Sequence, residues 1–173
     1  MNTRKMVLSA MFFAIGIVLP FVTMQIPMIG NMLLPMHIPV LLCGFVCGAP
    51  YGALIGVLLP WCRYLLFGQP ILMNAICMSV ELMVYGLVFG FFGGKWRSKQ
   101  SGVIYALFAA MVLGRTVWGA TAFVVYSLFN TPFTLRIFLL QSFIYAIPGI
   151  FLQLFIIPVI IDKFEKYTKG LNK

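Results

Sequence analysis

The stretch LPMHIPVLLCGFVCGAPYGALIGVLLP, residues 34–60, contains one arrangement that decides how the chain folds: glycines at 44, 48, 52 and 56, one every four residues, in a run with no charged side chain. In a helix that spacing puts small residues on one face, and in lipid such faces let helices pack closely. Pro50 interrupts the run, so it cannot form one straight helix. It reads as two apolar helices, about residues 32–48 and 51–67, joined by a tight CGAPYG connection. Close packing of a helical hairpin is the plain reading of the glycines; a flexible hinge is the other.

The pattern extends in both directions. The 173 residues are 62% hydrophobic and 9% charged, with a mean hydropathy of +1.06. A soluble domain averages about 45–50% apolar and about 25% charged residues. Disorder, a nucleic-acid module and an ordinary cytosolic enzyme are therefore excluded. The net charge of +9 reflects a shortage of acids, 3 against 12 bases. A spanning helix needs about 20 apolar residues. Further spans fall at about residues 6–23, 71–94, 103–129 and 135–161, with a polar tail over 162–173. The expected fold is an all-α integral membrane protein, six transmembrane helices in one compact bundle, with residues 1–173 forming a single membrane domain. The first span starts with Arg4 and Lys5 but lacks an A-x-A cleavage site, so it reads as retained.

Basic residues near span ends set orientation. With six spans, Arg4, Lys5, Lys95, Arg97, Lys99, Lys163, Lys166, Lys169 and Lys173 all fall on one side. Arg63 and Arg136 fall on the other. This predicts both termini in the cytoplasm.

Ionisable groups within a span are costly, so each one is informative. Glu81 lies near the middle of the fourth span and Arg115 near the middle of the fifth. The two spans are antiparallel neighbours, which puts these residues at similar depth. Asn74, Met78 and Glu81 share a helix face; so do Arg115, Trp118 and Ala122, with Tyr126 near the outward end. His37, Arg63, Arg136, Gln141 and Tyr145 fall in the outer half, and the inner halves are nearly bare. In one reading Glu81 and Arg115 form an ion pair that only fixes helix register. In the other, Arg115, Arg63 or both hold an anionic or polar ligand that enters from outside, with Trp118 and Tyr126 packing on it. His37 alone reads more readily as a hydrogen-bonded core residue than as a ligand contact.

Catalytic constellations are missing from the sequence. There is no H-E-x-x-H, G-x-S-x-G or P-loop, and Glu81 has only Asp162 and Glu165, both in the tail, as fellow acids. Cys43 and Cys47 lie four apart, but neither a histidine nor another thiol is near them in sequence, so Cys43, Cys47, Cys62 and Cys77 read as packing residues. The chain is not expected to be an enzyme, nor to hold a metal or cofactor.

Residues 34–60, with the later GRTVWG and AIPGIFLQL segments, resemble the substrate-binding S components of energy-coupling factor (ECF) vitamin transporters. The likeness spans essentially the whole chain. It implies a high-affinity substrate-binding membrane subunit, multi-pass in the cell membrane, expected to be the bacterial plasma membrane. Such a subunit captures a vitamin or precursor from outside and works with an ECF T component and two ABC-type ATPases in ATP-driven uptake. Ala10 and Ala14 would match the family's A-x-x-x-A contact with the scaffold, and the 24–31 loop would match its outer lid. Binding residues in the family come mainly from the later helices and outer loops, where Asn74, Glu81, Arg115, Trp118 and Tyr126 lie; Arg63 and His37 complete the candidate set. Three arginines against one buried acid favour an anionic cargo, with pantothenate first. The competing readings are a small multi-span channel, which would need a continuous polar stripe through at least two helices, and a structural membrane subunit without a ligand.

Overall fold

The computed structural model describes residues 3–22, 34–95, 100–131, 134–140 and 144–171. The 24–31 loop, Arg97, Lys99 and Gln141 lie outside them. Among the described residues seven helices follow in order: α1 Thr3–Val22, α2 His37–Cys47, α3 Ala49–Phe67, α4 Leu72–Lys95, α5 Gln100–Leu128, α6 Leu135–Leu139 and α7 Ile147–Leu171. Five of them, α1, α3, α4, α5 and α7, are long and apolar enough to cross a membrane. Large apolar side chains such as Leu65, Leu66, Tyr105, Phe123, Phe151 and Phe155 are exposed around the outside, as lipid contact requires.

The hairpin expected from the glycines is present, and α4 joins it. Gly48, at φ 107°, turns the chain between α2 and α3 in a conformation that a residue with a Cβ rarely adopts. Pro50 falls in the first turn of α3, where its missing N–H costs no helical hydrogen bond. The α3 glycines then meet α4 backbone to backbone. A Cβ on Gly52 would lie 2.6 Å from Gly44 Cα, and one on Gly86 2.3 Å from the Gly52 carbonyl carbon. Gly56 is as close to Leu82, and Gly90 to Ala49. These contacts fit close packing rather than a hinge.

Three sequence expectations change. The second helix is shorter than read, eleven residues rather than about residues 32–48; at 1.5 Å per residue it rises about 16 Å, roughly half the hydrocarbon core. It is buried almost all round, from Pro39 to Phe45, because α1, α3, α4 and α7 all pack on it. The sixth segment is not one helix over residues 135–161. It is divided into α6 and α7, with Tyr145 N–H bonding to Leu140 O at 2.9 Å between them. Pro148 explains the division, since it fits the first turn of a helix but not the interior. The segment read as a polar tail continues α7 to Leu171, with a 2.7 Å ion pair between Asp162 and Lys166 on its exposed side.

Three apolar clusters fill the bundle. Leu41, Phe45, Tyr85, Phe89, Leu107, Met111 and Ile157 join α2, α4, α5 and α7. Val40, Cys43, Cys47, Ile55, Leu59 and Leu82 join α2, α3 and α4, with α1 against them. Cys77, Trp118, Ala122 and Val125 form a smaller cluster between the beginning of α4 and the end of α5.

Candidate functional site

A polar side chain inside a membrane protein must find partners or pay for their absence. Besides Arg63 and the helix-bonded Ser9 and Ser79, two groups of polar side chains stand out in the bundle.

The first is a centre between α2, α4 and α5. Glu81 projects from the middle of α4 and is 1% exposed. His37 opens α2, its backbone N–H on the Leu34 carbonyl, and its Nε2 stands 3.4 Å from Glu81 Oε1. Arg115 comes from the middle of α5, with Nη1 3.3 Å from the same oxygen. Tyr85, one turn beyond Glu81, sets its ring edge-on to His37 at 5.0 Å and its hydroxyl toward Arg115. Gly114 makes this fit possible, because a Cβ there would lie 2.6 Å from the Tyr85 ring. On α7, Gln153 is 1% exposed, and its helix neighbours Ile150 and Ile157 pack in the cluster that holds Tyr85.

The centre is full of unspent hydrogen-bonding capacity. Both Glu81 contacts are ionic and lack the alignment of hydrogen bonds. Glu81 Oε1, both ring nitrogens of His37, Nε and Nη2 of Arg115, and both amide atoms of Gln153 are buried with no hydrogen-bond partner. Nη1 of Arg115 is turned to Glu81, while Nε and Nη2, side by side, keep an intact fork of parallel donors. That fork matches the two oxygens of a carboxylate.

The second place lies two to three turns away, toward the beginning of α4 and the end of α5. There the Tyr126 hydroxyl donates to Asn74 Oδ1 at 3.0 Å. Trp118 stacks on Phe138 of α6 at 6.4 Å, and Gly119 lies under that ring. With Cys77, these residues make a mostly apolar wall with one amide in it.

The structure therefore brings His37, Glu81 and Arg115 into direct contact, and holds Asn74 with Tyr126 and Trp118 nearby on the same two helices. Arg63 stands apart. Its guanidinium bonds to the Ile17 carbonyl of α1 and lies over Phe21 and Phe67, 5.4 and 5.3 Å from the ring centres. Ala10 and Ala14 are exposed on the outer face of α1, beside Val7, Met11 and Val18, while Ser9 and Gly16 face inward. Cys43 and Cys47 pack in the apolar core, with the Cys43 thiol 3.5 Å from the Ser9 hydroxyl. Among the described residues, no group of three or more His, Cys, Asp and Glu side chains is placed to share a metal ion.

Gln153 and Tyr85 escaped the sequence reading because neither carries a charge at neutral pH. The available signal was the one polar residue in the apolar run GIFLQLFIIP. Neither a curated protein nor a solved structure matches the chain. The family described as ECF transporter, substrate-specific component, matches residues 4–161. Since that match runs from the first turns of α1 to within ten residues of the end of α7, this multi-pass membrane protein belongs to the substrate-specific components of ECF transporters.

Proposed function

We propose that the chain captures a vitamin or vitamin precursor from outside the cell and that the centre formed by His37, Glu81 and Arg115 holds it. The observation that carries this reading is the buried, unpartnered fork of Arg115. An unsatisfied buried polar group costs about 1–3 kcal/mol, more when charged. A site that keeps such a cost when empty recovers it on binding, which gives high affinity for a molecule with matching acceptors. Glu81 balances the arginine in the empty state, and a ligand carboxylate shares it in the filled one. The wall of Trp118, Tyr126 and Asn74 covers the remainder of the molecule. An anionic cargo fits best, with pantothenate the first candidate.

The import cycle follows from the family. The chain makes six passes, the second by the short α2, and both termini face the cytoplasm of a bacterial cell. Its outer α1 face, with Ala10 and Ala14, contacts an ECF T component. Two ABC-type ATPases on that scaffold power the release of cargo inside.

Isothermal titration of the purified chain with pantothenate tests the site. The proposal expects binding by the parent chain and weaker binding by folded Arg115→Lys. Unchanged affinity in that variant removes Arg115 from the site and leaves the ion pair a purely structural role.

A further inference from the structure

Gln153 takes no part in the ion pair, yet it is as buried as Glu81. Neither the nitrogen nor the oxygen of its amide has a hydrogen-bond partner. On its helix face, Ile150 lies about one turn before it and Ile157 one turn after. Both pack into the cluster that holds Leu41, Tyr85 and Met111. The amide is therefore turned into the interior shared by α2, α5 and α7. Tyr85, from that same cluster, touches His37 and faces Arg115.

A structural role does not account for this residue. Leucine or methionine would fill the same volume, pack with the same isoleucines and leave no amide unsatisfied. What glutamine adds is a donor and an acceptor side by side, the pattern complementary to an amide, lactam or ureido edge. Arg115 offers the other half of a code, two parallel donors for two oxygens.

We propose that Gln153 is a specificity-determining residue, and that the substrate class is a small molecule with both a carboxylate and an amide-type donor–acceptor edge. Arg115 reads the first group and Gln153 the second. This deepens the reading of the buried centre as the substrate site and rests on it.

The test is a titration of the purified full chain with probes sorted by chemistry. Biotin carries both groups; pantothenate carries the carboxylate and an amide, but as a trans amide it offers Gln153 its N–H or its C=O, one at a time. Nicotinate carries only the carboxylate; nicotinamide, panthenol with its trans amide, and thiamine with the amino and ring nitrogens of its pyrimidine lack the carboxylate. Small molecules released from the freshly purified chain are identified by mass spectrometry alongside. The expected result is that the tightest binder, whether a probe or a released molecule, carries both groups. Gln153→Met then weakens it by about ten- to a hundredfold, the worth of one or two buried hydrogen bonds. In the same variant, the melting temperature without ligand stays level or rises, a signature that a structural glutamine would not give. Gln153→Leu, also apolar and of similar volume, serves if the methionine variant does not fold; it too should weaken binding.

A tightest binder that lacks either group overturns the proposal, as does full affinity in the folded variants. Absence of binding by every probe, with no molecule released, overturns instead the assignment of the centre as a substrate site, and this inference with it.

Discussion

Along one side of α4, Gly86 and Gly90 bring the helix backbone against Gly52, Ala49 and Gly44. Along another, Glu81 meets Arg115 and His37 through contacts that no hydrogen bond completes. The same helix thus serves two regions of opposite character. Where α2, α3 and α4 meet, the packing is so close that no methyl group fits. Between α4, α5 and α7, polar atoms remain ready to bond. The difference suits a division of labour: the glycine region fixes where Glu81 and His37 stand, and the polar region is the one we propose for recognition. A loosely packed α4 could not keep donors unsatisfied, because its side chains would shift until they found partners.

The comparison breaks most violently at Gly86. Gly86→Val should prevent folding, since a Cβ there falls 2.3 Å from the Gly52 backbone, which cannot swing aside as a side chain would. The cost should exceed the ~1–3 kcal/mol of ordinary overpacking, read as loss of the monodisperse peak in size-exclusion chromatography. Next comes Glu81→Gln. Removing one partner of a buried ion pair costs about 3–5 kcal/mol because it strands the other charge, so the melting temperature should drop more than the affinity does. Arg115→Lys should be milder in stability. It keeps a charge for Glu81 but loses the fork, and should weaken binding by about 1–3 kcal/mol, measured by titration of the folded variant. Ala14→Trp should leave the isolated chain almost unchanged, because Ala14 faces outward. It should instead abolish uptake in cells that carry the complete transporter, with binding intact. Loss of binding in that variant would move α1 from the partner surface to the interior.

Much of the glycine region was legible in the sequence, and less of the polar one. A four-residue repeat of glycine carries its own geometry, so Gly44, Gly48, Gly52 and Gly56 pointed to a packed hairpin before any coordinates. Glu81 and Arg115 could be paired by depth alone, because neighbouring antiparallel helices share a depth scale. His37 could not. Its position depends on α2 starting five residues later than hydropathy suggests, which carries the imidazole to the middle of α4. Arg63 was placed at the right end of its helix, but its partner is a backbone carbonyl of α1, near Pro20, and carbonyls leave no mark on a hydropathy profile. The break before α7 needed Pro148 to be weighed as a helix starter against an apolar run that continues on both sides of it.

The shortness of α2 has a consequence for the surrounding lipid. A helix of eleven residues facing acyl chains would force the bilayer to thin around it. Here the short helix is largely screened from lipid, because four neighbours pack on it, and the non-helical turn at 34–36 is buried too. Irregular backbone at membrane depth is tolerated on just that condition. Hydrophobic mismatch therefore acts on the outer helices and leaves the end of α2, with His37 on it, insulated. Affinity measured in vesicles of short-chain and long-chain lipid should be the same, even where the tilt of the whole bundle differs.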